Sequence, residues 1–142
     1  MKVVKKLTIL FSVSAIVFAS CTNDDSPANT QTNLTLLQNN WQVDSITTHF
    51  HTSIKDSSVT YLGQPSDYFN FNTNGNLYQQ LNNVKDTASY SLLNSNTLVI
   101  TQNTGEKDTA TISLLTSNKL AANYKKLLNA TDYIEVKSYM EH

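Results

Sequence analysis

Tyr68-Phe69-Asn70-Phe71-Asn72-Thr73-Asn74-Gly75-Asn76-Leu77-Tyr78 is the stretch of sequence that decides the fold. Apolar and polar residues alternate on both sides of its centre, which is the pattern of strands that bury one face. The dipeptide Asn74-Gly75 is a strong signal for a hairpin turn, because both residue types adopt positive φ angles. The stretch therefore predicts two antiparallel strands joined by a tight turn.

The same alternation continues in both directions from this hairpin, interrupted by turn residues at regular intervals. Gly63, Pro65 and Gly105 all fall between alternating runs, where turns are expected. The pattern predicts nine strands, near residues 41–50, 58–62, 68–72, 76–82, 87–93, 97–102, 108–115, 119–125 and 131–140. Ahead of them, residues 33–38 contain three leucines and predict one or two helical turns that plug an apolar opening.

The apolar residues of each predicted strand share one face, so each strand has an inner and an outer side. The expected inner pairs are Phe69 and Phe71, Leu77 and Leu81, Tyr90 and Leu92, Leu98 and Ile100, Ile112 and Leu114, Leu120 and Ala122, and Ile134 and Val136. The predicted fold class is all-β, an eight- to nine-stranded antiparallel up-and-down barrel with a short N-terminal helical turn. A two-sheet sandwich satisfies the same alternation, and periodicity alone does not separate the two.

The N-terminal residues have the three parts of a secretory leader: a basic start, an apolar run over 7–18, and small residues before a cysteine. The run is too short for a spanning helix, which needs about 20 apolar residues, so we predict cleavage. Phe18-Ala19-Ser20-Cys21 resembles a bacterial lipobox. The resemblance implies a diacylglycerol on Cys21, further palmitate-like acyl chains, and the membrane as a partner through this anchor. An ordinary signal peptide followed by an unmodified cysteine is the alternative.

The predicted organisation has three parts. Residues 1–20 form a lipoprotein signal peptide, residues 21–32 a lipidated cysteine and flexible tether, and residues 33–142 the barrel domain. Thr22 occupies the position at which an aspartate would signal retention of the lipoprotein at the inner membrane. A residue other than aspartate there resembles the sorting signal for the bacterial outer membrane. Asp24-Asp25 resembles a signal for export to the cell surface, and a solvated polar tether explains the same residues.

Composition excludes several classes of function. Cleavage of the leader removes three of the ten lysines and no acids, so seven lysines face eleven acids and the mature net charge is −4. The chain contains no arginine. An acidic protein without arginine is not expected to bind nucleic acid. With Cys21 acylated, no thiol remains for a disulfide or for a cysteine nucleophile.

Residues 37–43, Leu-Gln-Asn-Asn-Trp-Gln-Val, resemble the opening strand of bacterial lipocalin-like lipoproteins, which carry Leu-x-Gly-x-Trp there. Residues 68–78, 89–100 and 110–120 resemble their later hairpins in order and spacing. The resemblance covers about residues 34–138, and it implies a lipocalin-like barrel with Trp41 at the barrel floor. Proteins of this kind bind small apolar molecules, so a small hydrophobic ligand is the implied partner.

Two departures from this family pattern surround Trp41. Asn39 replaces the usual glycine, which asparagine can do because it adopts positive φ more readily than most residues. The arginine that often packs over the tryptophan is missing. Lys125, Lys126 and Lys137 are the candidates to cover Trp41 through a cation–π contact.

No motif for catalysis or metal binding stands out. His49 and His51 are two apart on a predicted strand and project on the same side, with Asp44 and Asp56 nearby. Two imidazoles are half of a zinc site, and because no third ligand has diagnostic spacing we predict no metal and no cofactor. The sequence lacks protease, hydrolase and phosphate-loop motifs, and only a carboxylate pair such as Asp44 with Glu135 is left open. We therefore predict no catalytic residues and no enzymatic activity.

Two functions remain. In the first, favoured by the family resemblance, the barrel binds a small apolar ligand through Phe71, Tyr90, Ile112, Leu120 and Tyr124, and the tyrosine hydroxyls orient it. In the second, the barrel is filled by its own side chains and the lipoprotein has a structural role or binds a protein partner that the sequence does not identify. An eight-stranded barrel is wide enough for either.

Overall fold

One helix and nine strands make up residues 27–142, the part of the chain that the computed structural model describes. Helix α1 spans Pro27–Leu37. The strands are β1 (Asn40–His51), β2 (Asp56–Leu62), β3 (Tyr68–Phe71), β4 (Asn76–Leu81), β5 (Val84–Leu92), β6 (Thr97–Gln102), β7 (Lys107–Leu115), β8 (Lys119–Leu127) and β9 (Tyr133–Glu141). All nine predicted strands are present. The predicted leader, Cys21 and Asp24-Asp25 lie outside the described residues.

The nine strands form one antiparallel sheet that closes on itself. Each strand from β3 to β8 pairs with the next, and β9 returns to pair with β1 over residues 42–51. Eight strands, β1 and β3–β9, therefore form a closed barrel, and β2 is an additional strand. The predicted all-β barrel is confirmed, and the alternative of a two-sheet sandwich is wrong.

Strand β1 is long enough to pair with two strands along one edge. Trp41 is opposite Phe69 of β3, while His51, at the other end of β1, is opposite Asp56 of β2. Strands β2 and β3 thus run in line along β1, separated by the loop 63–67. Within the described residues β2 pairs with β1 alone, so its second edge is open.

Two hairpin turns show how asparagine and glycine set the barrel connections. The predicted Asn74-Gly75 turn joins β3 to β4, and Gly75 has a φ of +83°. Between β4 and β5, Asn82 and Asn83 have φ angles of 50° and 65° and form a two-residue turn. Strand β5 therefore begins three residues before its predicted start, because asparagine tolerates the left-handed region and Asn-Asn can form such a turn.

The antiparallel order places the connecting loops at two ends of the barrel. The closed end comprises loops 72–75, 93–96 and 116–118 with the last turn of α1. The open end comprises loops 52–55, 82–83, 103–106 and 128–132. Core side chains lie mainly towards the closed end; they are Leu37, Trp41, Val43, Phe71, Leu77, Tyr90, Leu98, Ala110, Ile112, Leu120 and Met140.

Helix α1 covers the closed end, as predicted for the leucine-rich segment. Leu37 is completely buried in the core, and Asn33 Nδ2 donates a hydrogen bond to the backbone oxygen of Ser95 at 2.7 Å. The helix begins at Pro27, six residues before the predicted helical segment and within the predicted tether.

Strand β7 contains the one clear error in the predicted inner face. Ile112 is buried, but Leu114 is 44% exposed. The pairing of β7 with β8 shifts between these residues, and such a bulge turns the following side chain to the other face. Among the described residues, no helix has the length and apolar content that crossing a membrane requires.

Candidate functional site: an apolar cavity towards the open end

A cavity of about 100 Å³ lies inside the barrel. Its base is formed by Phe71, Leu98 and Met140, which also belong to the core. Closer to the open end, the lining includes Ile100 of β6, Tyr124 of β8 and Val136 of β9. The remaining lining residues are Phe69, Ala110, Ala122 and Ser138. The cavity therefore begins where the packed core ends.

The cavity lining is almost entirely apolar. Only Tyr124 and Ser138 carry a side-chain hydroxyl group. Every buried polar side-chain atom within residues 27–142 has a hydrogen-bond partner, so the cavity presents no unpaired buried polar group. A space of this kind favours an apolar ligand over a polar one, because a polar ligand would lose its hydration without gaining partners.

Polar groups are concentrated at the open-end side of the cavity, around Tyr124. Its hydroxyl donates to Asp108 Oδ1 at 2.8 Å, and the Lys126–Glu106 ion pair, also 2.8 Å, lies on the neighbouring rim. Burial, and then the hydrogen bond to Asp108, raise the pKa of Tyr124. The hydroxyl therefore stays protonated at neutral pH and is already engaged by Asp108.

An open groove of about 330 Å³ lies beside the cavity, between β2 and the β4–β5 hairpin. Its lining residues are Ile46, Thr48, Val59, Tyr61, Leu81 and Asn82. Ile46 is opposite Ser138 and Thr48 is opposite Val136, and both partners line the cavity. Residues directly opposite in an antiparallel pair share a face, so cavity and groove lie along one continuous inner surface.

Asp67 fixes one end of the groove. The sequence pattern does not predict this role. Its side chain is completely buried and accepts hydrogen bonds from the Tyr61 hydroxyl, from Gln64 N at 2.8 Å and from Asn82 N at 2.9 Å. The Tyr61 hydrogen bond, followed by the backbone donors, lowers the pKa of Asp67. An aspartate four residues after Gly63, in a turn, was the only sequence signal for this role.

The structure separates the five residues predicted to line a ligand site. Phe71 and Tyr124 line the cavity. Tyr90, Ile112 and Leu120 are buried in the core, and the cavity lining does not include them. Tyr90 packs edge-on against Phe71 and donates its hydroxyl to Asn72 O at 2.8 Å, so that hydroxyl is used within the protein.

Trp41, which the family resemblance assigns to the barrel floor, lies at the closed end of the barrel. It is completely buried, and its indole Nε1 donates to Leu37 O at 2.9 Å. The contact that covers it comes from His142, whose ring lies edge-on at 6.0 Å between centroids. The C-terminal residue reaches Trp41 because β9 ends beside the start of β1.

The predicted lysine cover for Trp41 is wrong. Lys125 lies 3.7 Å from the centre of the Tyr133 ring, Lys126 pairs with Glu106, and Lys137 pairs with Glu135. These lysines occupy the parts of β8 and β9 that approach the open end, whereas Trp41 lies at the closed end.

The two pairings of titratable groups considered from the sequence have different outcomes. Asp44 and Glu135 are not brought together: Glu135 is opposite His49, five residues from Asp44, or roughly 16 Å along the strand. By contrast, His49, His51 and Asp56 form a cluster whose candidate ligand atoms all lie within 4.8 Å of one another. Asp56, which is near the two histidines in sequence but lacks a diagnostic spacing, is therefore also close to them in space.

Comparison with known proteins gives no match to a family model, a curated protein or a solved structure. The closed eight-stranded antiparallel barrel is consistent with a lipocalin-like fold. This architecture is compatible with a lipocalin-like binding protein.

Proposed function

We propose that this protein is an envelope-anchored, lipocalin-like lipoprotein that binds a small apolar ligand in its barrel and catalyses no reaction. The observation that carries the proposal is the apolar cavity at the end of the packed core. The cavity adjoins an open groove, so a ligand can reach it without unfolding of the closed end. Tyr124 and Ser138 are the lining residues able to orient a ligand, and Phe71 forms part of its base.

The size of the cavity limits the ligand. Drug-sized ligands occupy about 300–1,000 Å³, whereas an apolar cavity of about 150 Å³ holds benzene. A volume of about 100 Å³ accommodates one small ring or a short alkyl segment. A longer molecule would place one end in the cavity and lie with its remainder along the groove beside Ile46 and Val59.

The second candidate function is a structural or protein-binding lipoprotein with a self-filled barrel. The small volume of the cavity favours it, because most of the interior is occupied by core side chains. The two candidates differ in one measurable property, which is whether an apolar molecule binds in the cavity beside Ala122.

Native mass spectrometry of protein purified from its own host tests the choice first, since a bound ligand adds a defined mass. In parallel, N-phenyl-1-naphthylamine is titrated and its fluorescence recorded. Ala122→Leu, which fills the cavity, should weaken probe binding at least tenfold. Ala130→Leu, the same change at an exposed loop position, should leave binding unchanged. Absence of both a co-purified molecule and probe binding would favour the self-filled barrel.

The proposed location is the outer membrane, with the domain held by a lipid on Cys21 and exposed at the cell surface. The support is the lipobox-like sequence before Cys21 and the acidic pair after it. Cys21→Ser should move the protein from the membrane fraction to the soluble fraction, because acylation needs the thiol. Protease added to intact cells should digest the domain; complete resistance would contradict surface exposure while leaving the anchor intact.

A further inference from the structure

The outer face of the β1–β2 hairpin carries a cluster that has no part in the proposed ligand site. His49 and His51 project to the same side of β1 because they are two residues apart. Asp56 of β2 is directly opposite His51, and Ser58 is directly opposite His49. The neighbouring β9 places Glu135 and Tyr133 on the other side of the same two histidines.

The distances within this cluster suit coordination of one ion. The candidate ligand atoms of His49, His51 and Asp56 lie within 4.8 Å of one another. His51 Nδ1 is 2.7 Å from Asp56 Oδ1. Ligand atoms of a first-row transition ion lie about 2.0–2.2 Å from the metal, so two of them in a tetrahedral site are roughly 3.3–3.6 Å apart. This separation lies between the 2.7 Å contact and the 4.8 Å limit of the cluster.

Neighbouring side chains hold both imidazole rings in place. The His51 ring stacks on Tyr133, with 4.6 Å between centroids and 24° between planes. His49 Nδ1 is 3.0 Å from Ser58 Oγ, which leaves its Nε2 available. Metal-binding histidines commonly use one ring nitrogen for the metal and the other for such a partner, which fixes the ring.

The charges around the cluster favour a cation. Asp56 is part of it, and Asp132, which accepts a hydrogen bond from Ser53 N at 2.8 Å, interacts electrostatically with His51. Glu135 is opposite His49 and pairs with Lys137 at 3.5 Å. The opposing charges are Lys137 and Lys125, and the Nζ of Lys125 lies over the Tyr133 ring.

We propose that His49, His51 and Asp56 bind a divalent first-row transition ion of the Zn²⁺ class on the outer face of the β1–β2 hairpin. Two imidazoles and one carboxylate are the donor set that suits Zn²⁺, Cu²⁺ or Ni²⁺ and disfavours Mg²⁺ and Ca²⁺, which prefer oxygen ligands alone. Three protein ligands leave one coordination position for water or for a donor from another molecule. The site is independent of the barrel cavity, so either can be present without the other.

Zinc titration of the full-length protein, purified without a polyhistidine tag, tests this site. Calorimetry should give one Zn²⁺ per chain, and the Tm should rise by about 10 °C at a free Zn²⁺ concentration of ~100 times the Kd. Mg²⁺ at the same concentration should leave the Tm unchanged.

Three variants and a matched histidine control assign the ion to the cluster. His49→Ala, His51→Ala and Asp56→Asn should each weaken Zn²⁺ binding at least tenfold, while His142→Ala should bind as the wild type does. His51 and Asp56 are 38% and 55% exposed, so the variants should fold normally in EDTA, which circular dichroism checks. Equal Zn²⁺ binding by His51→Ala and His142→Ala, or no Zn²⁺ binding by the wild type at millimolar concentration, would overturn the proposal.

Discussion

The two ends of this barrel treat apolar side chains in opposite ways. At the closed end Trp41, Leu37 and Leu77 are all within 1% of complete burial. At the open end Ile54 is 95% exposed and Val59 is 62% exposed. The closed end thus buries most of its large apolar side chains, with Leu93 at 74% exposure as an exception, while the open end exposes several of them. The difference teaches that the packed core stabilises one half of this small barrel, while the proposed ligand site lies towards the other half.

The boundary between the two halves lies at the loop 63–67, where the strand opposite β1 is interrupted. There Gly63 approaches β1 closely, and Asp67 ties the loop to Tyr61 and to the β4–β5 hairpin. Strand β2 does not pair with β4, and the groove lies between β2 and the β4–β5 hairpin.

The largest effect is expected for Trp41→Ala. Removal of a completely buried tryptophan should lower the free energy of unfolding by about 4 kcal/mol, since it deletes core contacts and leaves a cavity. Phe50→Ala, at the open end, should cost only about 1–2 kcal/mol because Phe50 is 36% exposed. Urea unfolding measures both. Equal losses would remove the distinction between the two ends.

Gly63→Ala tests the boundary. A Cβ at this position would lie 1.9 Å from the backbone oxygen of Val43, which cannot move without disturbing β1. The free energy of unfolding should fall by about 3 kcal/mol. Gly105→Ala is the matched control: its Cβ would meet nothing within 4 Å, and its φ of +87° alone should cost about 1 kcal/mol. An unchanged free energy of unfolding in Gly63→Ala would mean that the fold does not require the close approach of residue 63 to β1.

Asp67 makes the boundary sensitive to pH. Because its pKa in the folded protein is below the usual 3.8, the carboxylate stabilises the fold above about pH 4, and this contribution is lost as the pH falls through the lowered pKa. Asp67→Asn should therefore lower the Tm at pH 7, by less than Gly63→Ala, and weaken its dependence on pH between about 2 and 5. Thermal unfolding across this range checks it. If Asp67→Asn unfolds in acid as the wild type does, other groups cause the acid unfolding. Asp132 is the first of these to examine because its pKa is also lowered.

The smallest effect is expected for His142→Ala. The variant loses an edge-on contact with Trp41 and keeps the β-sheet, so the free energy of unfolding should fall by about 0.5–1 kcal/mol. The emission maximum of Trp41 should change because His142 lies against its ring. An unchanged emission spectrum would show that the C-terminal residue does not cover the floor in solution.

Local patterns made the strands predictable. Alternation around Asn74-Gly75 depends on neighbouring residues only, and it correctly gave the central hairpin and the inward side of Phe71 and Leu77. The helix plug at Leu37 followed from apolar residues ahead of the first strand. These features need no knowledge of which strand lies beside which.

Features that depend on pairing between distant segments were not predictable. The bulge that exposes Leu114 is a property of the β7–β8 register, and the role of Asp67 needs β2 beside the β4–β5 hairpin. Likewise, His142 meets Trp41 only because β9 closes on β1. Alternation correctly places Tyr90, one of the predicted ligand-site residues, on the inner face of its strand. It does not predict that Tyr90 lies below the cavity, because alternation gives the side of a strand and not the depth within the barrel.

The central claim is that an apolar molecule enters the open-end cavity while the closed end remains packed. Methyl-resolved NMR during titration with benzene tests it most directly. We predict saturable chemical-shift changes at Ile100, Val136 and Met140, which line the cavity, with Leu37 and Leu120 at the closed end unchanged. No saturable change at the cavity methyl groups, or changes confined to exposed residues such as Ile54, would contradict the account.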